Sequence, residues 1–332
     1  MRIIAILAFA AGFIISGGCD TVNELSGDKP NDEPFQEIEW GEDVTGQLLP
    51  WKLIQNTLHT PANEIDYLND TEVVLITKNN GLVFAYPLRF MLVEVVNEDL
   101  NGMLTAITYC PITQSAIAWN RILDNDTLLL TASGYLLRDN LMPLDLNSGS
   151  IWSQMRLVGM RGEHDRMSVE TVPLFETSWK TVRVHFPDAA VFTNAKLQKS
   201  SSEGNDYHSG ELFTDRRFGI LSRDNVELFN PDLFSGEIKL YSTIVHPGGN
   251  VVVAGSSVHN YVTAFRTSYA MEPEEGNFPI IMRDETGTSW NIFGEAVEGE
   301  REGEQLESPV FYIASDWAWK SLLGFTSDFD PS

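Results

Sequence analysis

A β-rich α+β fold is what the sequence predicts, made of two duplicated units of antiparallel strands, each closed by one helix. Three observations carry that expectation. Most segments of the body are short, rich in β-branched and aromatic residues, and bounded by turn residues. Late in each half, one segment changes to helical spacing behind a capping residue. The two halves also match each other at a nearly constant offset.

Of the expected strands, Val73 to Ile76, Leu104 to Tyr109, Ala116 to Arg121 and Leu128 to Ala132 belong to the first unit, and Val251 to Ala254 and Val262 to Arg266 to the second. Leu123-Asp-Asn-Asp-Thr127 and the Asp-to-Gly segments at 145–149 and 284–287 carry the residues of tight turns, with Gly supplying positive φ. In the first helix Phe175, Trp179, Val182 and Phe186 fall at helical spacing, Ser178 caps, and Pro187 stops the run. In the second, Ser315 caps, Asp316 suits the first turn and Gly324 ends it.

The duplication rests on Asp145-Leu-Asn-Ser-Gly149-Ser-Ile-Trp152 recurring as Asp284-Glu-Thr-Gly287-Thr-Ser-Trp290. Gly162 or Gly299, then Pro173 or Pro309, and then Trp179-Lys180 or Trp317-Ala-Trp319-Lys320 follow each copy. The offset slips only from 139 to 136 along this stretch. Upstream, Trp119 matches Phe265, and Ala85-Tyr86-Pro87 matches Phe229-Asn230-Pro231 more loosely. The expected organisation is a signal at 1–18, a tether at 19–50, a first unit at 51–192, a linker at 193–211 and a second unit at 212–330. Folding is expected to start near Trp51.

Composition bounds the function. The 332 residues are 43% hydrophobic, enough for a real core, and 47 acidic against 22 basic side chains leave a net charge of −25. That field repels phosphate, so nucleic acid is excluded as the main partner. Only eight Lys stand beside fourteen Arg, and the acids are spread along the chain, which suits a surface kept soluble at high ionic strength. Two cysteines exclude a disulfide framework.

Met1-Arg2, the apolar run Ile3 to Ile15 and Ser16-Gly17-Gly18 before Cys19 resemble a bacterial lipoprotein signal, in which that cysteine is acylated. Ser16 stands where the motif usually has Leu. The alternative is an ordinary cleaved signal with Cys19 incidental. Asp20 to Asp43 carries nine acids and one Lys without periodicity, as a solvated tether would. The expected location is therefore the bacterial envelope, periplasm-facing or on the cell surface, with the membrane reached through the lipid.

Ala85-Tyr86-Pro87, Thr108-Tyr109-Cys110-Pro111, the two Asp-to-Trp segments, Trp179 to His185-Phe186-Pro187-Asp188 and Trp317-Ala-Trp319 resemble the bacterial and archaeal family of domain of unknown function DUF3179. The resemblance covers nearly all of the body and implies kinship, with no activity attached. Relatives commonly show Thr-Tyr-Cys-Pro-x-Cys with an upstream His-Glu-x-x-Asn, a set with the look of a redox or metal centre. Here Thr113 replaces the second cysteine and Val93 the histidine, ahead of Glu94 and Asn97. With Cys19 acylated, no dithiol cycle within the chain remains.

Each candidate has two readings. Cys110 is a lone nucleophile or metal ligand, or a small buried hydrophobe at a strand end, which the absence of a neighbouring base favours. Glu94 and Asp99 form an acid/base pair or are merely solvated near a turn. Asp145-x-Asn147-x-Gly149 opens like a calcium loop but has Arg156 where the closing Glu belongs, so a turn is favoured. Tyr86, Tyr109, Trp152, Trp179, Trp290, Trp317 and Trp319, with Asp145 and Asp284, line a pocket or build two equivalent cores. None of the six histidines is paired at compact zinc spacing, and His246 and His259 are weak metal candidates. No cofactor is predicted. The expected function is a non-catalytic module for binding a small molecule or protein, or for assembly; the alternative is a thiol-dependent enzyme or metal carrier using Cys110 with Glu94 and a histidine.

Overall fold

The computed structural model describes residues 43–55, 57–193, 215–223 and 225–331. Cys19, the signal, most of the tether and the linker lie outside the described residues, as does His208. Strands make up 49% and helices 11% of the protein, and nearly all strand pairs are antiparallel. The body begins earlier than Trp51, because Val44–Gly46 pairs with Leu137–Tyr135 as an edge strand. A three-residue strand held by backbone hydrogen bonds alone leaves no hydrophobic pattern to read.

Three sheets of four or five strands form in the first half, besides the two-stranded Ile122–Leu123/Asp126–Thr127 hairpin. Val73–Asn79 and Leu82–Pro87 make a hairpin at the centre of five strands, flanked by Phe175–Ser178 on one side and by Ala190–Phe192 and His59–Pro61 on the other. Val95–Leu100, Met103–Cys110, Ser115–Asn120 and Thr171–Val172 make a second sheet. Val44–Gly46, Leu130–Leu137, Asn140–Asp145, Ile151–Ser153 and Val158–Arg161 make the third. The second half has three smaller sheets. These are Phe311–Ser315 with Arg216–Leu221, Val226–Phe229 and Thr326–Asp328; Lys239–Val245 with Gly249–Ser256 and Tyr261–Arg266; and Met271–Pro273 with Ile280–Asp284, Ser289–Asn291 and Ala296–Glu298.

Helices α1 (Trp179–His185) and α2 (Asp316–Leu323) fall where the caps placed them. Ser178 Oγ accepts from Thr181 N at 3.2 Å, a cap contributing about 1 kcal/mol. Phe175 is not helical: it pairs with Ile76 in the strand that ends on Ser178. Ser315 occupies the corresponding cap position of α2 without a side-chain cap bond, and Gly324 closes α2 at φ 70°. After each helix the chain returns as a short strand parallel to an earlier strand of its own half, Ala190–Phe192 beside Leu82–Pro87 and Thr326–Asp328 beside Val226–Phe229.

Strand alternation splits the core in two. On Met103–Cys110, Ile107 and Tyr109 face one cluster and Ala106 and Cys110 the other. Both halves contribute to both clusters: Phe175 packs on Phe293 in the first, and the Tyr312 hydroxyl donates to Met155 O at 2.6 Å in the second. Trp319 is fully buried and lies so close to Gly219 that a β-carbon there would meet its ring at 2.5 Å. Trp317 is 44% exposed and is not a core residue. Residues two apart on a helix point about 200° apart, so only one of the two tryptophans can face inward.

Candidate functional site

The hairpin Met103–Cys110/Ser115–Asn120 carries the residues that relatives decorate with cysteines. Its turn is closed by Gln114 at φ 52°. Cys110 is 1% exposed, and its thiol donates to Asp139 O at 3.6 Å, a weak bond that leads to no base. Thr113 is fully buried and held in a polar network. Its hydroxyl donates to Ser115 Oγ (2.9 Å) and accepts from Asn140 Nδ2 (3.0 Å). Ser115 Oγ and Asn140 Nδ2 both donate to Gln154 Oε1, at 2.9 and 2.8 Å. Gln154 Nε2 and Trp119 Nε1 each donate to Thr108 Oγ1 at 3.0 Å, and Asn140 Oδ1 accepts from Met155 N at 3.1 Å. A buried network satisfied in this way rigidifies its surroundings and offers no free group for chemistry.

The upstream residues are placed apart. Val93 is half-buried and Glu94 sits at φ 67°, its carbonyl accepting from Tyr109 N at 2.8 Å while partial burial raises its carboxyl pKa. Asp99 is exposed and its carboxylate accepts from Gly102 N at 2.6 Å, so it belongs to a turn at the opposite end of Val95–Leu100 from Glu94. The acid/base pair does not form. Asn97 is a clamp: its Nδ2 donates to Ile54 O (3.1 Å) and Leu130 O (2.7 Å), and its Oδ1 accepts from Leu130 N (3.0 Å).

The two histidine candidates have other neighbours. His259 stacks on Phe278 at 4.0 Å and lies 5.4 Å from His185, and burial lowers the pKa of both imidazoles. His246 follows Val245 in a turn, where its carbonyl accepts from Arg223 N. Among the described residues no three His, Cys, Asp or Glu side chains are grouped to hold a metal, so the thiol, Glu94 and a second-half histidine are not brought together.

Asp145 and Asp284 build matching turns, as their spacing to Gly predicts. Asp145 Oδ1 accepts from Leu129 N (2.8 Å) and its Oδ2 from Ser148 N (3.1 Å), with His164 Nδ1 3.9 Å away. Asp284 Oδ1 accepts from Thr286 N (2.9 Å) and Thr288 N (3.0 Å), with Arg301 Nε 3.3 Å from Oδ2. A β-carbon on Gly162 would lie 2.7 Å from Ser150 Cα, and one on Gly299 2.7 Å from Thr288 Cα. Trp152 and Trp290 behind these turns are fully buried, as are Tyr86 and Tyr109, and Trp179 is nearly so; all five are core residues.

One cluster escapes the motifs. Glu98 faces the same core as Val96 and Leu100 and is 4% exposed. Thr57 Oγ1 donates to its Oε1, and His59 Nε2 lies 3.4 Å from the same oxygen. The Tyr86 hydroxyl, fully buried, adjoins this carboxylate without an ordinary hydrogen bond, and Arg121 Nη1 donates to Glu98 O at 3.4 Å. Desolvation dominates here: it pushes the Glu98 carboxyl up to about 7 against the opposing effect of Thr57, and it lowers the His59 pKa. Burial thus favours the neutral form of both the carboxyl and the imidazole. The cluster's signal lay in the alternation Val96-x-Glu98-x-Leu100, which puts a carboxyl on an apolar face.

Architecture and site together define a β-rich protein of mostly antiparallel sheets with few helices, with a closed polar network at the Met103–Cys110/Ser115–Asn120 hairpin and a carboxyl–imidazole cluster at Glu98 on the adjoining strand. Residues 53–230, more than half of the chain, match the model of DUF3179, described as a protein of unknown function, and the chain belongs to that family. No curated protein and no solved structure matches it.

Proposed function

We propose that this chain is an envelope-anchored lipoprotein whose body is a non-catalytic ligand-binding or assembly module. One observation carries the reading: Cys110 and Thr113, at the positions where relatives have two cysteines, are sealed in the core, and among the described residues no metal-holding group forms and the thiol bonds only a backbone carbonyl. A nucleophile needs access and an activating neighbour, and this thiol has neither. The closed network at Thr113 replaces reactive chemistry with packing. Screening hydrolase, oxidoreductase and transferase substrates should reveal no turnover sensitive to Cys110→Ser. Turnover abolished by that substitution would refute the reading.

The body is read as an internal duplication. Supporting it are the paired Asp turns, the two helices capped after a core strand, and the identical register of bonds that follow. Arg166 N donates to Gly159 O and Gly303 N to Ala296 O, and Val169 N donates to Leu157 O and Leu306 N to Gly294 O, at a constant offset of 137. The anchor is read from Cys19 behind its apolar run. Cys19→Ala should leave the protein unprocessed or release it from membranes; a variant that is processed and membrane-bound like the wild type would count against lipidation.

A further inference from the structure

In the first half the chain from Val44 to Pro61 runs as a strap along three sheets. Val44–Gly46 pairs with Leu137–Tyr135, Trp51 N donates to Ala132 O at 3.0 Å, and His59–Pro61 pairs with Phe192–Ala190. Between these points Ile54 O accepts from Asn97 N at 2.9 Å and Gln55 bridges Asn97 in parallel. The strap thus fills the angle between Val95–Leu100 and Leu130–Leu137.

The second half has the same two strands around the same angle. Met271 pairs with Asp284 as Leu130 pairs with Asp145. Aligning the hairpin pairs Cys110/Ser115 and Ser256/Tyr261 makes Ala106 equivalent to Val252, so their ladder partners Asn97 and Ser242 correspond. Ser242 is too short to clamp the facing strand as Asn97 does. Among the described residues no strand pairs with the outer edge of Lys239–Val245, and a groove of about 240 Å³ opens between this strand, Asn250–Val252 and the segment Thr267–Met271. Ser242, Ile244, Asn250, Thr267, Tyr269 and Met271 line it, with no charged side chain among them, and Ile244 is 62% exposed. A partly apolar, uncovered strand edge is a template for another chain.

We propose that this groove binds an extended segment of a partner protein, laid along Lys239–Val245 as Ile54–Gln55 lies along Val95–Leu100. Main-chain hydrogen bonds to the strand edge hold the segment, and Ile244, Tyr269 and Met271 take apolar side chains at alternate positions. The chain's charge of −25 favours a partner with basic flanks. The chain's own 196–209 is a poor occupant, because Leu197 and Tyr207 are its only large apolar residues. The proposal rests on the binding-module reading and specifies the ligand class.

The test uses the full chain and a labelled synthetic peptide of sequence Gly46–Thr57, which already fills the corresponding angle and carries a Lys. Fluorescence polarisation should show saturable binding, weakened about tenfold or more by Ile244→Lys and unchanged by Val258→Lys, an exposed site outside the groove. The amides of Leu240, Ser242 and Ile244, which face away from Gly249–Ser256, should exchange rapidly in the free chain and gain protection with the peptide. Absence of saturable binding up to about 1 mM, equal binding by Ile244→Lys, or protection of those amides in the free chain would overturn the proposal. Such a failure would leave the binding-module reading intact, since that reading falls only on turnover sensitive to Cys110→Ser.

Discussion

Replacing Glu98 by Gln should flatten the pH dependence of stability between pH 5 and 8. The carboxyl is buried in the core and its pKa rises to about 7 from 4.5. A carboxyl raised in the folded state contributes stability that is fully present below its unfolded pKa and lost as pH climbs through the folded one. At 1.36 kcal/mol per pH unit, this shift amounts to about 3 kcal/mol lost between pH 4.5 and about 7. Gln keeps the acceptor for Thr57 and has no charge to desolvate, so the variant escapes the loss. His59 titrates in the opposite sense: burial lowers its pKa, and its contribution falls away as pH drops. The same opposing effect comes from His185 and His259, which both proteins share. Urea unfolding at pH 5, 6, 7 and 8 on wild type and variant isolates Glu98 as the change in the difference between the two curves. That difference should move by about 2–3 kcal/mol in favour of the variant from pH 5 to 8. Curves parallel to within about 0.5 kcal/mol would show that Glu98 is solvated and refute the argument.

Three further outcomes follow from buried groups. Arg216 Nη1 donates to Glu176 Oε2 at 2.9 Å, with both side chains 4% exposed, at a junction of the halves; Arg216→Met should cost about 3–5 kcal/mol in chemical denaturation, and the double change with Glu176→Leu should restore most of it. Gly219→Ala should lower the melting temperature by more than Gly81→Ala, even though Gly81 has the positive φ, because a β-carbon at 219 collides with the fixed Trp319 ring whereas that at 81 meets open space. A thiol reagent should modify Cys110 only at the rate of unfolding, with full reaction in urea; rapid stoichiometric labelling of the native protein would contradict its 1% exposure.

Much of the fold was legible because it is written in local chemistry. Ser178 and Ser315 placed both helix starts, Gly324 closed the second helix, and the Asp-to-Gly segments became turns with Gly149 and Gly287 at φ 71° and 85°. The site was less legible. Cys110 and Thr113 were marked by the resemblance, yet their surroundings are set by Asp139, Asn140 and Gln154, which come from segments distant in the chain. Glu98 was visible as a carboxyl on an apolar face, while the His59 and Thr57 that surround it come from a segment about forty residues away.

By itself the sequence determined the β-rich class, the element types, the turn geometry, the family and the acid-rich composition, because each depends on neighbours in the chain or on composition. Only the tertiary structure decided that both halves share both cores, that Trp317 faces solvent while Trp319 is buried, and that Glu94 and Asp99 lie apart. It alone decided too that a strap fills one angle between strands and leaves its counterpart open. The reason is physical: burial and the pairing of strand edges depend on which distant segments meet, and a segment's pattern shows which face is apolar without showing what covers it.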